Sequence, residues 1–413
     1  MRCNVAKELG LTLIIQNYFT VLEDKRYMIP YGKQDISEED ILAVENVLRS
    51  SNLTQGPAVP KFEQAVIAHC NAKYAVALNS ATSTLHVACS ALGLGEGDWL
   101  WTSPNTFVAS ANCALYCGAS VDFVDINPKT FNMCVSALER KLVKAKALGK
   151  LPKIVVPVHF SGQPCSMKGI SELGLKYGFK IIEDASHAIG GRYLTEPIGN
   201  CRYSDITVFS FHPVKVITCA EGGMATTNNP ILAEKMALLR SHGITRTPSL
   251  MTKPMEGPWY YQQVELGHNY RMSDLHGALG ASQMNRLTSY VSQRHKLAKR
   301  YDALLKEFPV TTPHQVEEGY SAYHLYVILL QLDKIEASHL DVFEALRSRE
   351  INVNLHYIPV HTQPYYQNLG FKYGDFPEAE SYYKKAISIP LYPTLTYEEQ
   401  DYVVESLRTA LGC

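Results

Sequence analysis

Four short segments carry residue types that can do chemistry. The first is Ser210-Phe211-His212-Pro213-Val214-Lys215, followed by Glu221-Gly222-Gly223. Lys215 stands just past an apolar stretch that reads as a buried strand. Burial lowers the pKa of an ammonium group and frees the amine as a nucleophile, able to form a Schiff base with an aldehyde cofactor. The plain alternative is a solvated surface lysine. The second segment is Ile181-Ile182-Glu183-Asp184-Ala185-Ser186-His187-Ala188. It puts Asp184 at the carboxyl end of an apolar strand, where ligands bind in open α/β sheets. A carboxylate there can keep a pyridine nitrogen protonated and turn the ring into an electron sink, or it can simply cap the next turn.

The third segment is Asn79-Ser80-Ala81-Thr82-Ser83-Thr84, between a strand and a helix. Hydroxyls and free amides at a helix N-terminus make a phosphate site, although a Ser/Thr N-cap has the same composition. The fourth is Pro104-Asn105-Thr106-Phe107. Its aromatic ring can stack on a flat cofactor or pack in the core. Taken in chain order the segments supply a phosphate cradle, a stacking ring, an acid for a pyridine nitrogen, a further hydroxyl and an amine. That is the part list of a pyridoxal phosphate site. No GxGxxG follows a strand and no GxxxxGK[ST] occurs, which disfavours a nucleotide-cofactor oxidoreductase. Gly93-Leu94-Gly95-Glu96-Gly97 follows a helix and reads as a turn.

These groups need a scaffold. Ser37-Glu38-Glu39-Asp40 has the form of a capping box, and Ile41, Val44, Val47 and Leu48 follow at helical spacing. A second helix is expected over 59–70. Strands are then expected at 75–78, 121–124, 154–158, 179–182 and 206–211, with helices over 83–92, 135–148 and 167–177 among them. Alternation of strand and helix with nearly continuous apolar strands implies an α/β fold whose mostly parallel sheet is covered on both faces. Beyond residue 290 the pattern changes to helix 291–308, strand 324–330, helix 342–349, strand 351–356 and closing helices at 378–387 and 396–411. The expected domains are a large cofactor-binding one over 28–290 and a smaller α+β one over 291–413. Residues 1–27 read as an N-terminal extension, disordered or upstream of a natural start at Met28.

The chain has 413 residues, with 39 Lys and Arg against 40 Asp and Glu, a formal net charge of −1. That balance lacks the basic excess of a nucleic-acid binder. It is compatible with a local pocket for a phosphate-bearing small molecule. Ten cysteines occur without a CxxC or a His at metal spacing, so they read as reduced, small apolar residues and no metal is expected. No run of 18 apolar residues and no cleavage-site pattern is present, which points to a cytoplasmic protein without a membrane span.

With these motifs the chain, from about Tyr31 onward, resembles the sugar aminotransferase family named after DegT, DnrJ, EryC and StrS, fold-type-I pyridoxal phosphate enzymes. The resemblance implies Lys215 as the Schiff-base lysine and Asp184 as the partner of the pyridine nitrogen. It implies Thr82, Ser83 and Ser210 on the phosphate, Phe107 over the ring and His187 near the cofactor's 3-hydroxyl. Gly267-His268-Asn269-Tyr270-Arg271 is similar to a loop that reaches the neighbouring subunit, which implies a homodimer with Asn269 at the other chain's phosphate. Leu53-Thr54-Gln55-Gly56, Arg240-Ser241-His242-Gly243, Pro258-Trp259-Tyr260-Tyr261 and His356-Tyr357-Ile358-Pro359-Val360-His361 are similar to the pseudaminic acid branch of the family. That branch uses L-glutamate to aminate C4 of a UDP-linked 4-keto-6-deoxy-N-acetyl sugar, and the resemblance makes Gln55, Arg271 and His356 candidates for the sugar side. Sister aminotransferases share every cofactor residue. Dehydratase relatives carry His in place of the lysine, and Lys215 argues against them. The intact set Asp184, Ser210 and Lys215 argues against a non-catalytic regulatory relative. Cys219 departs from the Thr commoner near the lysine.

Overall fold

The computed structural model describes residues 28–413, so the reading of residues 1–27 lies outside the described residues. The centre is a seven-stranded sheet of β1 (Tyr74–Leu78), β2 (Trp99–Thr102), β3 (Ser120–Phe123), β4 (Ile154–Val156), β5 (Lys180–Asp184), β6 (Ile206–Ser210) and β7 (Gly223–Thr227). Their spatial order is β1-β7-β6-β5-β4-β2-β3. Strands β2 to β6 pair in parallel, and β7 runs antiparallel to both β1 and β6. The expected mostly parallel sheet is therefore present. Ile154, Val155 and Val156 are all buried, as a strand covered on both faces requires.

Alternate residues of the strands feed two apolar layers. On one face Val76, Leu78, Ile182 and Val208 meet Leu85 and Val87 of α3 (Ala81–Ala91), Cys113 of α4 (Ala109–Tyr116) and Met236 of the helix Pro230–Leu239. On the other, Ala77, Phe209 and Met224 meet Phe62 and Val66 of the helix Ala58–Cys70 and Ala281 of the helix Asp274–Met284. A further core holds Leu297, Ile328, Leu346, Ile387, Val403 and Leu407. Its antiparallel sheet comprises Val310–Thr311, Tyr326–Leu330 and Ala386–Ile389. Ile29 joins that core, and Ile29–Pro30 pairs in parallel with Ile351–Asn352.

The capping box forms on the helix Glu38–Leu48: Ser37 accepts from the Asp40 amide, and the Asp40 carboxylate accepts from the Ser37 amide at 3.1 Å. The same carboxylate, fully buried, also accepts from Gln283 at 2.6 Å and pairs with Arg286. It thus ties the cap to a distant helix. Ile41 and Leu48, at the expected apolar spacing, are 50% and 59% exposed. Spacing names an apolar stripe but not what covers it.

Two expectations need correction. The strand expected at 351–356 is confined to Ile351–Asn352. The helix expected at 378–387 ends at Tyr383 and gives way to the strand Ala386–Ile389. The sequence pattern names neither β2 nor β7; the Gly-Met-Ala-Thr-Thr of β7 is neither alternating nor rich in branched apolar residues. Among the described residues no helix is long and apolar enough to cross a membrane.

Candidate active site

The carboxyl ends of β5 and β6 and the N-terminus of α3 open onto one cavity of about 430 Å³. Thr82, Phe107, Asp184, His187, Ser210, Lys215 and His356 line it together. A second cavity of about 480 Å³, lined by His69, Arg192, Glu317 and Tyr320, holds none of these groups. The difference is topological: only the first lies where parallel strands end and helix N-termini begin.

Asp184 ends β5 and is buried. Its Oδ1 accepts from the Ser186 amide at 3.0 Å, and its Oδ2 accepts from the Ser110 hydroxyl at 2.6 Å. Ser110 Oγ is in turn 2.8 Å from Thr106 Oγ1. The carboxylate is therefore oriented before any ligand arrives. The next residue back, Glu183, points to the other face of the sheet. It meets His159 Nε2 at 2.7 Å and also accepts from Ser204 and Thr207. The Cys165 amide donates to His159 Nδ1 at 2.9 Å, which leaves the ring proton on Nε2 facing Glu183. The backbone amide of His159 donates to Asp184 O at 3.0 Å, so this buried pair locks the loop beside the site to the strand end.

Ser210 ends β6, and the loop beyond it is held by the Phe211 amide on Gly222 O and the Lys215 amide on His212 O, both at 2.9 Å. Lys215 faces the cavity. Burial pulls its pKa down from the ordinary lysine range to about 8, with Asp184 opposing the shift. The amine is protonated below that value and nucleophilic above it. In cofactor-free protein, aldehyde capture at Lys215 should therefore rise between about pH 7 and about pH 9 and then level off. Reductive trapping followed by peptide mass mapping measures this; a flat profile over that range would contradict a buried amine.

Ser80 caps α3 by accepting from the Ser83 amide at 3.1 Å. The first-turn amides of such a helix lack intrahelical partners and attract an anion. Ser83 does not line the cavity: its hydroxyl donates to Asn79 Oδ1 at 2.6 Å, so it braces the cap. A Cβ at Gly223 of β7 would stand 2.4 Å from Ser80 O and Thr84 Oγ1. Only glycine lets the strand and the cap approach this closely. Gly223→Ala should push the α3 N-terminus out of place and weaken phosphate-bearing cofactor binding by about 10-fold, measured by titration of the cofactor into the purified protein.

Phe107 lines the cavity at 57% exposure, an aromatic face left for a flat ring. His187 is buried. The Ser161 amide donates to its Nδ1 at 3.3 Å, so its Nε2 carries the proton 3.1 Å from the Tyr357 hydroxyl. Burial, then Lys215 and His356, hold its pKa well below the ordinary histidine range. His356 Nδ1 lies 2.8 Å from Ser388 Oγ, and burial, then Lys215, pull its pKa down to about 3. Both rings are therefore neutral at physiological pH. Phosphate cradle, open aromatic face, oriented carboxylate and half-buried amine stand in one cavity, and that set fits pyridoxal phosphate.

Gln55, Asn269 and Arg271 do not line this chain's own cavity. Asn269 bridges Ser241, and Arg271 bridges Leu78. The sequence reading gives no role to Tyr31, Ser110, His324 or Tyr357, all of which line it. Tyr357 adjoins His356, and that adjacency was its one available signal. Ser110 and His324 reach the site only through tertiary packing.

Comparison with known proteins gives a consistent result. The model of the DegT/DnrJ/EryC1/StrS aminotransferase family matches residues 34–408. The spore coat polysaccharide biosynthesis protein SpsC of Bacillus subtilis is 37% identical over 391 residues, covering 94% of this chain and 98% of that protein. The UDP-4-amino-4,6-dideoxy-N-acetyl-beta-L-altrosamine transaminase of Campylobacter jejuni is 36% identical over 388 residues, covering 93% and 98%. The structure of Helicobacter pylori PseC, an aminotransferase involved in the biosynthesis of pseudoaminic acid, superposes with a TM-score of 0.85 at 30% identity, covering 94% of this chain and 100% of that one. This chain belongs to the DegT/DnrJ/EryC1/StrS aminotransferase family and is a sugar transaminase that uses pyridoxal phosphate.

Proposed function

We propose that the chain transfers the amino group of L-glutamate to C4 of a UDP-linked 4-keto-6-deoxy-N-acetylhexosamine, UDP-2-acetamido-2,6-dideoxy-beta-L-arabino-hexos-4-ulose, in pseudaminic acid biosynthesis. The observation that carries this reading is the near full-length likeness to the Campylobacter transaminase. Pyridoxal phosphate, when bound, supplies an electron sink that acidifies the α-carbon of an amino acid. Lys215 holds it covalently at rest. Its neutral amine would move a proton at the donor's α-carbon, a task that its lowered pKa favours. The Asp184 carboxylate keeps the ring nitrogen protonated and stabilises the charge that develops. Thr82, Ser210 and the α3 N-terminus hold the phosphate, with Ser83 bracing the cap; Phe107 covers the ring and His187 serves its 3-hydroxyl.

The working unit in this reading is a homodimer in which Asn269 reaches the partner's phosphate. Asn269 lies off its own cavity, and the neighbouring Trp259 and Leu266 are 72% and 81% exposed. Gln55, Arg271 and His356 serve the nucleotide-sugar side. A second reading is a sister nucleotide-sugar aminotransferase, acting on the UDP-4-keto-6-deoxy-GlcNAc of the bacillosamine route or on a dTDP-keto sugar. The Bacillus relative, a spore coat polysaccharide protein, keeps it in play. Incubation with L-glutamate and each keto sugar in turn, with mass analysis of the product, separates them. The expected outcome is amination of the L-arabino sugar in preference to its D-configured counterpart; the reverse preference would move the assignment to the sister activity.

A further inference from the structure

His324 is buried, lines the cavity and has no part in the roles above. Its ring centroid is 4.4 Å from that of His187, and its Nδ1 is buried without a hydrogen-bond partner. Its placement is strongly determined. Tyr323, just before it, sits at φ +47°, a left-handed conformation costly for a residue with a side chain. The His324 amide donates to Ser161 O at 2.9 Å, while the Ser161 amide donates to His187, so one backbone unit spaces the two rings.

Behind His324 lies Arg294, fully buried. Its Nη1 donates to the carbonyls of Tyr323 at 3.1 Å, His324 at 3.2 Å and Leu391 at 2.8 Å. Its Nε and Nη2 have no partner, and no carboxylate among the described residues pairs with it. An uncompensated buried guanidinium is costly unless something anionic answers it. The cavity in front holds the amine of Lys215 and the carboxylates of Asp184 and Glu221, with the neutral rings of His187 and His356 beside them.

We propose that His324 hydrogen-bonds a carboxylate of the acidic amino donor, and that Arg294 is a positioning residue that aims His324 and places positive charge behind it. This rests on the aminotransferase reading and adds to it the side of the cavity where the donor's carboxylate sits. A neutral imidazole offers one N–H to that oxygen, and the buried guanidinium strengthens the contact through a poorly screened medium.

The test titrates glutarate, a dicarboxylate with no amino group to react, into the full chain loaded with pyridoxal phosphate, and follows the cofactor's visible absorption. Wild type, His324→Phe and His324→Gln are compared, and cofactor affinity is measured separately for each. His324→Phe should weaken glutarate binding roughly 10- to 100-fold, as for loss of a hydrogen bond to a charged group. His324→Gln, which keeps an N–H donor, should retain most of the affinity. In turnover, the KM for glutamate should rise while the KM for the keto sugar stays put. Wild-type glutarate affinity in His324→Phe would overturn the proposal, as would loss of cofactor uptake by both variants, which would assign His324 to the cofactor or the fold. Failure of the wild-type chain itself to take up pyridoxal phosphate would instead bring down the underlying reading.

Discussion

Lys215→Ala should lower amino-sugar formation by at least about 10⁴-fold, because in the proposed function one amine both anchors the cofactor and moves the proton. The phosphate cradle on α3 and the carboxylate of Asp184 are built by other parts of the chain, so the variant should still take up the cofactor noncovalently. Its absorption should then match free pyridoxal phosphate and not the lysine-bound form. Mass analysis of the product after long incubation checks the first point, and the visible spectrum checks the second. Turnover near the wild-type rate would remove Lys215 from the role given to it. The pH profile belongs to the same claim. Burial brings the Lys215 pKa down to about 8, so an activity limited by its free amine should climb through that value.

Asp184→Asn should lower kcat by about 10²- to 10³-fold, the range for removing one preorganised charge that meets developing charge in a dry site. The substitution keeps the shape. The amide can still accept from Ser186, and Ser110 can turn its hydroxyl toward Thr106, 2.8 Å away. Thermal unfolding should therefore change little, and cofactor affinity much less than kcat. That split distinguishes loss of electronic function from loss of fold. An unchanged kcat would mean that the pyridine nitrogen does not need this carboxylate.

Much of the scaffold was legible because its signals are local. The apolar strands at Ile154–Val156 and Ile206–Ser210 and the helix Met167–Tyr177 show their period in a few residues. The capping box at Ser37 was readable for the same reason. What failed lacked such a signal. Strand β7 is made of small residues and threonines, and it becomes a strand because β1 and β6 leave it a place between them. The helix expected at 378–387 overran into a strand, Ala386–Ile389, whose four residues are too few to separate from a helical turn.

The sequence by itself determined the reactive parts and their order: a cradle within Asn79–Thr84, then Phe107, Asp184, Ser210 and Lys215, each placed near the end of an element by strand–helix alternation. Strand ends in a parallel sheet converge, so naming the ends was nearly enough to assemble a cofactor site. Only the tertiary structure decided which further groups complete it. Ser110 reaches Asp184 from a helix 74 residues earlier, and Tyr357 reaches His187 from 170 residues later. Ser83, alike in type to its neighbours, turned away to brace the cap. Arg294 aims His324 through carbonyls, a contact available to any residue type and so written nowhere in the pattern. Local order follows from period and propensity within one element, whereas the orientation of a charge or a ring depends on what packs behind it, and that is supplied by distant chain.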